Sequence, residues 1–233
     1  TLRGHTGPVL SGAFTPDGRW FASAGWRDCT ARIWDVQTGN SLAVLPHPSG
    51  VKHVSFSPDG SLLATTCEDG KVRLWDATTW QATGQSADYG DPVYCAEFSP
   101  DGKRIAYSCH KKTGRDYAVS TNTDIYIYDL ETKQTTILTK GMMGYDDGPV
   151  YSPDGKHIAW TSMERDGYEA DKRRLMVLDL ERNSRVDYTG IFDNDAEHLV
   201  WGDDSKSIYF LSYWYGAKEI FNLNLNGTIT QLT

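Results

Sequence analysis

The chain has 233 residues, 39% hydrophobic and 23% charged, which is enough apolar material to bury a core and excludes a disordered chain. Its formal charge of −8 repels a phosphate backbone, and the mixed stretch Asp171-Lys172-Arg173-Arg174 is no basic patch, so no nucleic-acid partner is expected. No run approaches the roughly 18 apolar residues that span a bilayer, and Thr1-Leu2-Arg3-Gly4-His5 has neither segment of a signal peptide, so no membrane partner is expected.

In chain order the dominant signal is a repeat. The turn Pro-Asp-Gly occurs at Pro16-Asp17-Gly18, Pro58-Asp59-Gly60, Pro100-Asp101-Gly102 and Pro153-Asp154-Gly155, with Asp203-Asp204-Ser205-Lys206 in the equivalent place of a fifth unit. Proline fixes φ, aspartate caps the turn and glycine accepts positive φ, so each is a hairpin connection. An apolar run follows each turn, as in Trp20-Phe21-Ala22 and Leu62-Leu63-Ala64. A third strand is expected at Ala31–Trp34, Val72–Trp75, Ile125–Tyr128, Leu175–Leu178 and Glu219–Leu223. A fourth is expected at Ser41–Leu45, Gln81–Gln85, Thr135–Leu138, Arg185–Tyr188 and Thr228–Leu232. Four antiparallel strands per unit at this period is the arithmetic of a propeller blade. The expected fold is therefore all-β: one β-propeller domain over 1–233, with about five blades near 1–45, 46–88, 92–139, 147–189 and 195–233. A monomer is expected.

The first two units carry Gly4-His5 with Asp28-Cys29-Thr30-Ala31-Arg32-Ile33-Trp34-Asp35, then Asp69-Gly70-Lys71-Val72-Arg73-Leu74-Trp75-Asp76. His5 and His47 each lie nine residues before the aromatic closing the first strand, Phe14 and Phe56. Over about 1–90 the chain resembles WD-repeat propellers. That resemblance implies a hydrogen-bonded chain of His, Ser or Thr, Asp and Trp across each blade. In the second unit it implies His47, Thr65, Asp69 and Trp75. In the first it implies His5, Asp28 and Trp34, with Ala24 where the hydroxyl belongs and hence an incomplete network. His47→Ala is accordingly expected to cost roughly 1–3 kcal/mol and His5→Ala less.

Beyond about Ala96 the pattern changes, with Tyr89 in the histidine position and Tyr128-Asp129 in place of Trp-Asp. The runs 99–107, 124–130 and 152–160 resemble the N-terminal propeller of prolyl oligopeptidase and dipeptidyl peptidase enzymes and the related TolB-type propellers. The insert Met163 to Asp171 leans to the peptidase branch. A chain carrying both resemblances is expected to be a composite, engineered or recombined, with its junction near Asp91 to Lys103.

Those peptidases carry their serine on a separate α/β-hydrolase domain in a Gly-x-Ser-x-Gly turn, which this sequence lacks. His53, His110, His157 and His198 share no ligand spacing. Asp193, Asp195 and Glu197 alternate like the start of a calcium loop but lack its glycine and distal glutamate. Asp146-Asp147 and Asp203-Asp204 read as turn neighbours facing different ways. Cys29, Cys67, Cys95 and Cys109 lie singly, without zinc or disulfide spacing, and lean towards a reducing compartment. One sequon, Asn226-Gly227-Thr228, is present. No catalytic residue, metal or cofactor is expected. The expected function is a non-catalytic composite scaffold with no selected ligand. Its alternatives are a WD-type protein-interaction module and the non-catalytic, access-gating propeller part of a serine exopeptidase. Any partner is expected to be a protein meeting the loop face, where the long connections 110–123 and 164–174 lie and where Trp26, Tyr168, Trp214 and Tyr215 could anchor it.

Overall fold

In the computed structural model the described residues are 2–88, 90–110, 120, 122–168, 170–190 and 192–233. They form twenty strands in five four-stranded antiparallel sheets, each sheet built from four consecutive strands in sequence order. The first sheet holds β1 Val9–Phe14, β2 Trp20–Gly25, β3 Thr30–Asp35 and β4 Ser41–Pro46. The second holds β5 Val51–Phe56, β6 Leu62–Cys67, β7 Lys71–Asp76 and β8 Ala82–Asp88. The third holds β9 Val93–Phe98, β10 Arg104–Cys109, β11 Asp124–Asp129 and β12 Thr135–Ile137. The fourth holds β13 Asp146–Tyr151, β14 His157–Ser162, β15 Arg174–Asp179 and β16 Ser184–Asp187. The fifth holds β17 Glu197–Trp201, β18 Ser207–Trp214, β19 Ala217–Asn224 and β20 Ile229–Gln231. This is an all-β propeller architecture of five blades. No helix among the described residues is long and apolar enough to cross a membrane.

One local device builds the first hairpin of each of the first four blades. Gly18, Gly60, Gly102 and Gly155 sit at φ 68–71° and close their turns onto Thr15, Ser57, Ser99 and Ser152 carbonyls at 2.8 Å. The same Thr or Ser hydroxyl donates to the turn aspartate at 2.5–2.6 Å and accepts the amide five residues on. The aspartate also accepts the amide two residues on at 3.0 Å. That hydroxyl bond, with the amide, holds the Asp17 and Asp59 carboxyls below their ordinary value. In the fifth blade Ser205 at φ 53° takes the glycine's place, and Asp204 caps through the Lys206 and Ser207 amides.

The chain divides into two compact units, Thr1–Lys111 with Tyr126–Thr136, and Lys112–Ile125 with Ile137–Thr233. Within the first unit, blades pack by a repeated code. Val54, Phe56, Leu63 and Trp75 on the leading face of blade 2 press on Ala22, Ala24, Ala31, Ile33 and Leu45, the trailing face of blade 1. Blade 3 brings Val93, Phe98, Ile105 and Tyr107 against Ala64, Val72 and Leu74. In the second unit Leu199, Trp201, Ile208 and Phe210 of blade 5 cover Ala159, Leu175 and Val177 of blade 4. Large side chains thus meet small or branched ones between the sheets.

Candidate functional site

A polar arrangement joins four side chains on blade 1. His5, in the segment before β1, is bonded through both ring nitrogens: Nδ1 lies 2.7 Å from Asp28 Oδ2 and Nε2 2.7 Å from Ser23 Oγ. Trp34 Nε1 donates to the same Ser23 Oγ at 2.8 Å. A carboxylate can only accept, so Nδ1 carries the proton, Nε2 accepts the Ser23 O–H, and Ser23 accepts the tryptophan N–H. Burial works to raise the Asp28 pKa, but bonds from His5 and the Thr6 amide outweigh it and hold it below the ordinary value. A Cβ on Gly25 would collide with Asp28 and His5, so only glycine lets them meet across β2.

The serine is Ser23, against the expectation that Ala24 leaves blade 1 without a hydroxyl. The β2–β3 connection of blade 1 has one residue more than that of blade 2, so the hydroxyl lies eleven residues before Trp34 but ten before Trp75. Cys29, at φ 53°, stands where Gly70, at φ 80°, stands in blade 2, so the added residue lies ahead of Asp28, in Trp26-Arg27 against the single Glu68.

Blade 2 joins three of its four expected residues. His47 Nε2 lies 2.8 Å from Thr65 Oγ1, which accepts Trp75 Nε1 at 3.0 Å. Asp69 does not reach the histidine, in contrast to the full set expected there. It holds Arg73 through two bonds of 3.0 and 2.5 Å, and His47 Nδ1 turns to the Leu45 carbonyl at 2.9 Å. A bidentate guanidinium outcompetes a neutral imidazole N–H for the carboxylate. Burial pushes the His47 pKa down to about 4, so the ring is neutral near pH 7.

The Asp28–His5–Ser23 geometry is that of a hydrolase triad, and a groove of about 440 Å³ opens beside it, lined by Leu2, His5, Val9, Phe21, Ser23 and Trp34. Two features make it structural. Ser23 is 3% exposed, and one of its two lone pairs already receives the Trp34 proton.

Blade 4 holds a polar centre where the pair Asp146-Asp147 reads in sequence as a turn. Asp146 starts strand β13, is fully buried and accepts Trp160 Nε1 at 2.9 Å. Burial lifts its pKa to about 7; the Asp124 carboxylate adds to this, while Ser162, Trp160 and Arg174 oppose it. Thr139 donates to Asp124 at 2.8 Å and Thr123 to the Asp146 carbonyl at 2.7 Å. A Trp at the position where Ser23 and Thr65 stand in blades 1 and 2 is the signal in the sequence that points to this centre.

The remaining candidates disperse. Asp195 accepts the Arg173 amide at 2.7 Å, and Glu197 pairs with Lys218 at 2.9 Å. Among the described residues no three His, Cys, Asp or Glu are grouped to hold a metal. Trp26 donates to Glu68 at 2.8 Å, and Glu68 pairs with Lys52 at 3.2 Å, which makes an exposed rim across blades 1 and 2. Tyr168 lies under Arg165 at 4.1 Å, and Trp214 stacks on Phe192 while Tyr215 stands exposed at the hairpin tip. Sequon residues Asn226, Gly227 and Thr228 are exposed at the β19–β20 turn. Tyr89, residues 111–119 and 121 of the third-unit connection, and Glu169 lie outside the described residues. No cysteine is in a disulfide.

With the geometry in place, residues 1–35 and 39–76 match the family model of the WD domain, G-beta repeat. The match covers most of the first two blades. Serine-threonine kinase receptor-associated protein of Gallus gallus, similar to this chain, is 32% identical over 219 residues, 94% of this chain and 58% of that protein. Dipeptidyl-peptidase 5 of Porphyromonas gingivalis is 49% identical over 137 residues, 58% of this chain and 20% of that protein. Periodic tryptophan protein 2 homolog of Schizosaccharomyces pombe is 33% identical over 57% of this chain and 16% of its own length. The chain thus spans a fifth or less of the latter two. A solved structure, Kuenenia stuttgartiensis Hydrazine Synthase, superposes on the whole chain and 68% of its own with a TM-score of 0.73 at 16% identity, a likeness of fold alone. The WD40 match ends where the second sheet's third strand ends, at Asp76.

Proposed function

We propose that this chain is a non-catalytic protein-interaction scaffold, composite in make-up, in which WD40 blades are joined near 91–103 to blades of the peptidase-propeller kind. The observation that carries it is the fate of the triad-like group on blade 1. Ser23 is locked between His5 and Trp34 as a clasp that pins the β2–β3 loop to the segment before β1. Rigid loops of this kind present side chains to partners, and the exposed Trp26, oriented by Glu68 and Lys52, is the anchor. The composite make-up is supported by two kinds of relatives, WD-repeat proteins and a dipeptidyl-peptidase, each similar over part of the chain.

The test pairs two measurements. Ester and dipeptidyl-anilide substrates are expected to show no turnover above background; turnover lost in Ser23→Ala would overturn the reading. Crosslinked protein partners are expected to be lost in Trp26→Ala at unchanged melting temperature. The 49% identity to Dipeptidyl-peptidase 5 favours a second reading, a propeller part that screens access to a hydrolase domain. Its mark would be altered substrate-size selectivity when this chain replaces that enzyme's own propeller segment.

A further inference from the structure

Asp146, Ser162 and Arg174 stand opposite one another across β13, β14 and β15, so their side chains share one face of blade 4 in a single row. At one end Asp146 is fully buried; Oδ1 accepts Trp160 Nε1, and Oδ2 has no hydrogen-bond partner among the described residues. The Ser162 hydroxyl in the middle is turned to the Met163 carbonyl at 3.2 Å. At the other end the Arg174 guanidinium donates to Ser162 O and Oγ at 3.5 Å and to Met163 O at 3.3 Å, long distances for hydrogen bonds. A buried acceptor with nothing to accept therefore lies along the row from a loosely held cation. Of the charged groups that act on Asp146, Asp124 on β11 opposes its ionisation and Arg174 on β15 favours it. Thr139 donates to Asp124, and Asp147 points to the opposite face of the sheet, where Tyr145 Oη meets it at 3.4 Å. The row is also the root of two connections. Met163 opens the one between β14 and β15: its amide donates to Tyr145 O at 2.9 Å, and a Cβ on Gly144 would collide with its carbonyl. Thr123 closes the one between β10 and β11; its hydroxyl donates to the Asp146 carbonyl at 2.7 Å, and its carbonyl accepts the Asp146 amide at 3.2 Å. Further out, Asp166 ties the two together by accepting Ser120 Oγ at 2.6 Å and the Asn122 amide at 3.2 Å.

We propose that the Asp146–Ser162–Arg174 row is a proton-operated latch on these two connections. With Asp146 neutral, Arg174 holds the Met163 carbonyl and both connections are ordered. When Asp146 gives its proton to solvent, the guanidinium is drawn along the row to Oδ2, because a carboxylate accepts its N–H groups more strongly than a carbonyl does. The Met163 carbonyl is then released, the β14–β15 connection loosens, and the Asp166 tie to Ser120 and Asn122 goes with it. Burial places the Asp146 pKa at about 7, so the latch is closed below that pH and opens above it. A partner that meets these connections, as the proposed scaffold function has it, then binds according to pH. The latch can be read without any partner, so its failure leaves that function untouched.

Backbone order parameters of the full chain, measured by NMR relaxation at about pH 6 and about pH 8, test the latch. The ionised fraction of Asp146 rises about tenfold over that interval. The amides of Met163, Arg165 and Asn122 are expected to fall from a rigid value of about 0.85 to below about 0.6. Val177 and Leu178, within the β15 ladder, are expected to stay rigid at both pH values. Asp146→Asn is expected to keep the three amides rigid throughout. Arg174→Gln leaves no cation to be drawn to Oδ2, so it is expected to remove the pH response as well, and it serves the same test should Asp146→Asn not fold. Order at Met163, Arg165 and Asn122 that ignores pH overturns the proposal, as does an equal fall at Val177 and Leu178, or a pH response that persists in either variant.

Discussion

Replacing Asp146 by asparagine removes a charge and keeps the shape. The asparagine carbonyl can still accept Trp160 Nε1, held at 2.9 Å in the native protein, while the carboxylate that burial disfavours is gone. The folded-state pKa, about 7, lies above the ordinary 3.8, so the folded protein holds a proton that the unfolded chain releases. Native stability therefore falls as pH rises from about 4 to about 7, and is flat beyond. A tenfold difference in proton affinity between the folded and unfolded states is worth about 1.4 kcal/mol, so the advantage of Asp146→Asn over the native protein grows by roughly 3 kcal/mol between about pH 5 and about pH 8. Urea unfolding at the two pH values reads the difference, and hydrogen exchange at the Trp160 and Thr161 amides localises it to blade 4. Parallel pH profiles for the two proteins would refute the reasoning, because they would mean that Asp146 titrates alike in both states.

Blade 1 carries the fully joined network, so His5→Ala is expected to cost roughly 1–3 kcal/mol and at least as much as His47→Ala, reversing the order expected from sequence; urea midpoints check this. His47 has the opposite pH sign to Asp146: its pKa is lowered from 6.5 to about 4, so stability is full above about pH 6.5 and falls by about 3 kcal/mol as pH drops through 4. Denaturant midpoints of native protein and His47→Gln should converge at the acid end. Gly25→Ala drives a methyl into Asp28 and His5 and is expected to lower stability by about 2 kcal/mol, with the loss largely abolished in a background that carries both His5→Ala and Asp28→Ala.

The hairpin turns are legible in the sequence because they rest on local chemistry: proline, aspartate and glycine within three residues determine the geometry whatever packs around them. What the sequence conceals depends on loop length and competition. Ser23 is hidden because counting from Trp34 with blade 2's spacing lands on Ala24, and no residue type announces the added position in the β2–β3 loop. Asp69 has the right place for a bond to His47, yet Arg73, four residues on and in the same sheet, binds it more strongly. Arg32 occupies the matching position in blade 1 and leaves Asp28 to His5, so residue identity alone does not decide the pairing. Asp146-Asp147-Gly148-Pro149 has the composition of a turn, but Gly148 at φ 63° makes a bulge inside a strand, and the bulge carries Asp146 into the core. Phe14 and Phe56 have equal standing in the sequence, yet Phe14 is 60% exposed and Phe56 9%, a difference that only packing makes.

The hydroxyl–aspartate–amide closure in four of the turns also bears on how the chain reaches its fold. All its bonds link groups two, three or five residues apart, so the loop entropy they must overcome is small. Each first hairpin can therefore close on the microsecond scale, before any neighbour exists to stack on it. During synthesis the blades would then be added in order of emergence, with strand pairing set at each Pro-Asp-Gly and sheet stacking following behind. A lesion in one turn delays its own blade and leaves the nucleation of the other four intact.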